Sequence, residues 1–203
     1  MSTCNNITLA GLGRLEACKT NLSGVKTMWI IPASDVESIN AQRATQITDL
    51  DGFCTIGSAQ IEGKAITCKE GKGFVKVFCA DDMGELKYTS QGNMVGARSF
   101  KASLEIYNPG FRRRQLGFLS YFNNQDAIIV VLLNNGEYHL LGDTFRGALL
   151  ASGNEASSGK ESTADNGINP VFEYNTGFAQ IFWEGFDPTD EEHGIDIIDE
   201  SAA

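Results

Sequence analysis

The chain has 203 residues, 42% of them apolar, with 22 glycines and only 4 prolines. That is enough apolar side chain for a real core, which excludes wholesale disorder, and many glycines among short apolar runs suit a turn-rich β protein better than a helical bundle. The net charge of −10 is unevenly placed: after residue 150 one basic residue, Lys160, faces twelve acidic ones, whereas the first 150 residues hold fifteen basic against fourteen acidic. A nucleic-acid binder needs basic surface to neutralise phosphates, and this distribution argues against one.

The cysteines, Cys4, Cys18, Cys54, Cys68 and Cys79, are odd in number, show no CxxC spacing and have only two histidines beside them. Zinc-finger patterns are therefore absent, and free thiols in an intracellular product are expected. The N-terminal stretch has no basic region followed by an apolar run, and no apolar run approaches the ~20 residues of a membrane span.

In chain order, Lys26 to Ile31, closed by Pro32, predicts a buried strand. Ser34 with Glu37 three residues on has the form of a capping box and suggests a short helix. Thr45–Leu50 and Phe53–Ile56 predict short strands on either side of an Asp51-Gly52 turn. Residues 73–91 predict a hairpin: Phe74, Val75, Val77 and Phe78 on one arm, Leu86, Tyr88 and Ser90 on the other, joined through Asp81, Asp82 and Gly84. Met94–Tyr107 alternates, with Phe100, Ala102, Leu104 and Ile106 on one face and Ser99, Lys101, Ser103 and Glu105 on the other, the period of a strand with one wet face. Asn108-Pro109-Gly110 ends it.

Phe111–Asn123 predicts the one helix, with Phe111, Phe118, Leu119 and Phe122 in a stripe and Arg112, Arg113, Arg114 and Ser120 facing away. Ile128–Leu133 does not alternate, so both of its faces should be covered: one by the sandwich core, the other by the helix or a neighbouring subunit. Asn134-Asn135-Gly136 then predicts a tight hairpin into Tyr138–Leu141, with a two-residue Asn-Gly turn. Residues 152–167 are polar, small and turn-rich, which predicts a long loop. Asn169–Tyr174 and Phe178–Trp183 predict another hairpin around Asn175-Thr176-Gly177. Asp187–Ala203 holds seven acidic residues and predicts a mobile or partner-docked tail after a single β domain over 1–186.

No catalytic, cofactor-binding or metal-binding constellation emerges. Gly11-Leu12-Gly13 lacks both the third glycine of a dinucleotide loop, which would fall at Glu16, and a P-loop lysine. His139 and His193 are not paired by spacing with a nucleophile. Asp81-Asp82 reads as turn chemistry, and Asp190-Glu191-Glu192 does not match a calcium loop. Arg112-Arg113-Arg114 is the one basic cluster. It reads equally as a solvated helix face or as a set of guanidiniums meeting an acidic tail across an interface. Two edge-rich hairpins beside this silence call for neighbours to cover β edges, and identical copies would serve.

The order of parts resembles the tail tube proteins of phages of Bacteroidetes-type hosts over roughly residues 4 to 186. The resemblance rests on Asn21-Leu22-Ser23-Gly24-Val25 leading to Trp29-Ile30-Ile31, then an alternating strand, a helix and an Asn-Gly hairpin. It continues in Tyr138-His139-Leu140-Leu141-Gly142, Gly147-Ala148-Leu149-Leu150-Ala151-Ser152-Gly153, Ser158-Gly159-Lys160 and Ala164-Asp165-Asn166-Gly167. It implies a β-sandwich or barrel of two antiparallel sheets with one flanking helix. It further implies a virion protein, made in the host cytoplasm, whose six-membered rings stack into a tube that carries DNA only as passing cargo. The implied partners are copies of itself and other tail proteins, the tape measure and terminator among them, with a sheath left open, and no membrane.

On that resemblance Ser99, Lys101, Ser103 and Glu105, with strands near 60–90, become candidates for the lumen wall. The 152–167 loop becomes the candidate for ring-to-ring contact, and its Asn154, Ser158 and Lys160 join Arg112, Arg113 and Arg114 as candidate inter-subunit residues. A terminator, head-completion or decoration protein, a soluble β-sandwich binding module and an unrecognised enzyme remain alternatives.

Overall fold

The computed structural model describes residues 22–40, 55–56, 63–94, 98–152, 154–161, 166–177, 181–182 and 185–198. Its strands in chain order are β1 (Val25–Pro32), β2 (Val36–Ile39), β3 (Thr55–Ile56), β4 (Ile66–Cys68), β5 (Val75–Phe78), β6 (Glu85–Gln91), β7 (Ser99–Glu105) and β8 (Asn108–Pro109). The helix α1 (Arg113–Phe122) follows, then β9 (Ala127–Leu133), β10 (Tyr138–Leu141), β11 (Leu149–Leu150), β12 (Glu155–Ser157), β13 (Gly167–Asn169), β14 (Val171–Thr176) and β15 (Ile181–Phe182). The expected strand Thr45–Leu50, the Asp51-Gly52 turn, Gly11-Leu12-Gly13 and the cysteines Cys4, Cys18 and Cys54 lie outside the described residues.

The fold is mainly β, as expected, with one α-helix among the described residues. A six-stranded sheet in the order β3-β15-β10-β9-β1-β5 packs on a four-stranded sheet, β11-β14-β7-β6, and smaller sheets β12-β13-β8 and β2-β4 flank them. Pairing is antiparallel except between β15 and β3.

β9 explains the architecture. Its run of branched side chains is buried from Ala127 to Val131 because each face meets its own core. Ile129 and Val131, with Met28 and Ile30 of the neighbouring β1, point at the four-stranded sheet and meet Ala102, Leu104, Phe172 and Tyr174. Ile128 and Val130, with Trp29 and Ile31, point the other way and meet Ala65, Ile66, Phe74, Phe182, Phe186 and Ile195. Each fully buried side chain of this size contributes about 1.5–3 kcal/mol, so a strand buried on both faces concentrates stability.

The helix joins the first core, not the second. Phe118 and Phe122 approach Phe172 edge-on, with ring centroids 6.3 and 6.1 Å away. Phe111, expected at the head of the stripe, lies before the helix and stays exposed, so the packed stripe is shorter than the sequence suggests.

The second face is covered instead by the acidic C-terminal stretch, which corrects the expectation of a mobile or partner-held tail over 187–198. Phe186 stacks on Phe182 at 4.1 Å and meets Tyr138 edge-on at 5.2 Å. Ile195 bridges to Ile66 and Ile197 to Phe74 in parallel register. The Asp196 carboxylate takes an ion pair from Lys64 and accepts the Cys68 N–H at 3.2 Å. The carboxylates of 187–192 face water while the isoleucines dock.

Both expected hairpins at 73–91 and 169–183 are corrected as well. β5 belongs to the six-stranded sheet and β6 to the four-stranded one, so residues 79–84 carry the chain between layers. Gly84 sits where a Cβ would lie 2.9 Å from that of Val25, and only glycine fits so close a crossing. β14 and β15 likewise lie in different sheets.

The Asn-Gly hairpin forms, but with a three-residue loop. Gly136 N–H donates to Leu133 O and Leu133 N–H to Glu137 O. Only Gly136 takes a positive φ, +91°, which is a type I turn closed by a bulge glycine and not a two-residue turn. The capping box at Ser34 is not used: Ala33–Asp35 is a single 3₁₀ turn without a side-chain cap, and Val36–Ile39 is strand.

Candidate assembly surface

The four-stranded sheet presents one dry face and one wet one. On β7, Ala102 and Leu104 are buried, while Ser99, Lys101 and Ser103 are half-buried and Glu105 exposed. The expected alternation is borne out from Lys101 to Ile106, but Phe100, expected on the dry face, is 37% exposed at the end of the strand. β6 places Gln91, Thr89, Lys87 and Glu85 opposite Ser99, Lys101, Ser103 and Glu105, and β14 adds Glu173 and Asn175 opposite Ser103 and Lys101. Lys101 Nζ sits 2.7 Å from Glu173 Oε2. The wet face thus carries Glu85, Glu105 and Glu173 against Lys87 and Lys101, polar and slightly acidic. Of the strands near 60–90, only β6 shares this face. β4 is paired with β2, and β5 lies in the other sheet.

The sheet also ends in an open edge. β6 pairs with β7 on one side, and among the described residues nothing pairs with its other side over seven residues. At the opposite edge β11 is two residues long, with Leu149 exposed. Unpaired N–H and C=O rows of this length are templates for another strand.

The other candidate contacts divide. Arg112, Arg113 and Arg114 are exposed at the first turn of α1, which has no acidic residue there. Three cations at the positive end of a helix repel its dipole, so an acidic partner would be favoured at this spot. Residues 152–167 are not a bare loop, because β12 pairs with β13. Asn154 within it is turned inward, its side chain bridging Ala151 O and the Val171 N–H, so its work is internal. Ser158 and Lys160 remain exposed.

His139 lies inside the sandwich at 6% exposure, its Nδ1 3.3 Å from the Tyr88 hydroxyl. Its Nε2 has no hydrogen-bond partner among the described residues, with Glu137 Oε2 3.9 Å away. Burial pushes its pKa down, against a smaller upward pull from Glu137. Cys68 and Cys79 are free and buried, and burial pushes both thiols up to about 11, so neither is an activated nucleophile. Among the described residues no cluster of His, Cys, Asp and Glu could hold a metal, and no helix is long and apolar enough to cross a membrane.

Two open clefts lie at the ends of the sandwich. One, of about 400 Å³, is bounded by Ala33, Asp126 and the loop Asp143–Gly147. The other, of about 420 Å³, is lined by Asp82, Met83, Glu105, Tyr107, Glu155 and Asn169 among others. The edge strand β6 and these two ends were not singled out from the sequence: alternation locates a face but not the position of a strand in its sheet.

Comparison of the chain with family models, with curated proteins and with solved structures gives no match.

Proposed function

We propose that this chain is a structural, non-enzymatic subunit that assembles with copies of itself into stacked, hexameric rings, the tube of a phage tail. Other tail proteins would be its partners and DNA its transient cargo. The observation that carries the reading is the open seven-residue edge of β6 on a sheet whose outer face is polar and slightly acidic. Pairing β6 of one copy with the opposite sheet edge of the next continues the sheet and removes both edges on closing a ring. The wet face then lines the inside, where carboxylates and hydroxyls leave phosphates unbound. The sequence resemblance described above supplies the tail tube in particular.

Negative-stain electron microscopy across a concentration series tests this. Rings or hollow tubes are expected, with class averages giving the symmetry. Uniform small particles at every concentration would remove the reading in favour of a monomeric binding module.

A further inference from the structure

If lateral edges close the ring, only the strand ends remain to meet the next ring, and the two ends of this molecule differ. At one end the chain turns through Asp143–Gly147. Asp143 Oδ1 accepts the N–H groups of Phe145 and Arg146, both at 2.7 Å, the Asp143 N–H donates to Arg146 O at 2.8 Å, and Asp143 Oδ2 accepts the Tyr174 hydroxyl at 2.9 Å. The loop is thus braced by its own aspartate and tied to β14. On top of it Phe145 is 96% exposed, with Arg146 exposed beside it. Single exposed apolar residues are ordinary, but a phenyl ring held fully in water by a braced turn is preorganised for a partner.

The loop end sets Arg146 beside Asp126 and Asp143, whereas the cleft at the other end is lined by carboxylates without a cation. Asp82, Glu105 and Glu155 line it with Met83 and Tyr107, and among the described residues no lysine or arginine does. Among the described residues none of these three carboxylates, nor Arg146, is in an ion pair. Met83 is exposed and gives the cleft an apolar floor.

The strand β1 measures the separation. Its first residue, Val25, donates to Gly84 O beside the acidic cleft, and Ala33, just past its last, donates to Asp126 O beside the Phe145 loop. Eight steps at about 3.3 Å put the two sites roughly 26 Å apart, at opposite ends of the sandwich.

We propose that Phe145 and Arg146 of one copy insert into the acidic cleft of the next, Phe145 against Met83 and Tyr107 and Arg146 among Asp82, Glu105 and Glu155. The occupant is a second copy of this chain, argued from the pairing of an exposed phenyl ring and guanidinium at one end with methionine, tyrosine and three carboxylates at the other. A contact between two different patches on opposite ends repeats without closing and grows a filament. The contact rests on the reading of a stacked tube and assigns its axial joint, next to the 155–157 strand within the stretch that the sequence offered as inter-ring contact.

The experiment uses the full chain, as wild type, as Phe145→Ser/Arg146→Glu and as that variant with Glu155→Arg added. Because both knob residues are exposed, the variants should keep the wild-type circular dichroism. Sedimentation and electron microscopy then read the assemblies. The expected result is that the knob variant retains rings while the fraction in stacked tubes falls at least tenfold, and that Glu155→Arg restores part of it to Arg146→Glu. Stacked tubes at the wild-type level in the knob variant would overturn the contact and leave the tube reading standing. A wild-type chain monomeric at every concentration would overturn both.

Discussion

The two main sheets share strand chemistry but not environment. The six-stranded sheet is apolar on both faces because each has a cover, the four-stranded sheet on one side and Val36, Ala65, Ile66, Phe74, Phe186 and Ile195 on the other. The four-stranded sheet has a cover on one face only, and its strands alternate accordingly. The difference teaches that a run such as Ile128–Leu133 reports a sheet's place in the layers, whereas alternation in Ser99–Glu105 reports a surface that this chain leaves to water or to another copy.

Adjacent substitutions test that contrast most strongly. Ile128→Ala and Ile129→Ala point to opposite faces yet both residues are fully buried, and each is expected to lower unfolding stability by about 2–5 kcal/mol in urea titrations. On β7, Leu104→Ala should do the same while Ser103→Ala stays within about 0.5 kcal/mol. A neutral Ile128→Ala would mean that the second cover does not pack.

That cover can be loosened by a smaller change. Asp196→Ala removes the partner of Lys64 and the acceptor of the Cys68 N–H, both partly exposed, and is expected to lower stability by about 1–2 kcal/mol. Limited proteolysis should then cut first within 187–198. Unchanged cleavage would show that the isoleucines alone hold the segment.

The smallest effect concerns pH. His139 is held below its ordinary pKa of 6.5 by burial, so the unfolded chain takes up its proton first as pH falls. Stability should be constant above about pH 7 on this account and decline as pH drops through 6.5, levelling off once the folded histidine is protonated too. His139→Gln should flatten that slope in chemical denaturation, and an unaltered slope would assign it to other groups.

Local chemistry made much of this fold legible. The Asn134–Gly136 turn, the alternation of β7, the doubly buried β9 and the helix all follow from periods and turn residues a few positions apart. Residues 73–91 and 169–183 misled because apolar run, turn, apolar run is common to a hairpin and to a crossing between layers. What distinguishes them is the approach of Gly84 to Val25, which no local window contains. The acidic stretch misled through its charge: Ile195 and Ile197 are few, but at alternate positions they bridge to Ile66 and Phe74, with Asp196 between them held by Lys64. Of the candidate surface, the wet face was legible and the open edge of β6 was not. The inward turn of Asn154 depends on Val171, seventeen residues on.

The clasp between Lys64 and Asp196 also sets a timetable. The two residues are 132 positions apart, and a ribosome adding roughly 5–20 residues per second needs on the order of ten seconds to deliver the second after the first. Until the end of that interval the outward side of β1, and of β9 once it is made, has Val36, Ala65, Ile66 and Phe74 against it but lacks the share of its cover that Phe182, Phe186 and Ile195 supply. A nascent chain therefore carries a half-covered, adhesive apolar face until its last residues arrive, and that face is the place where neighbours on one messenger would stick to each other.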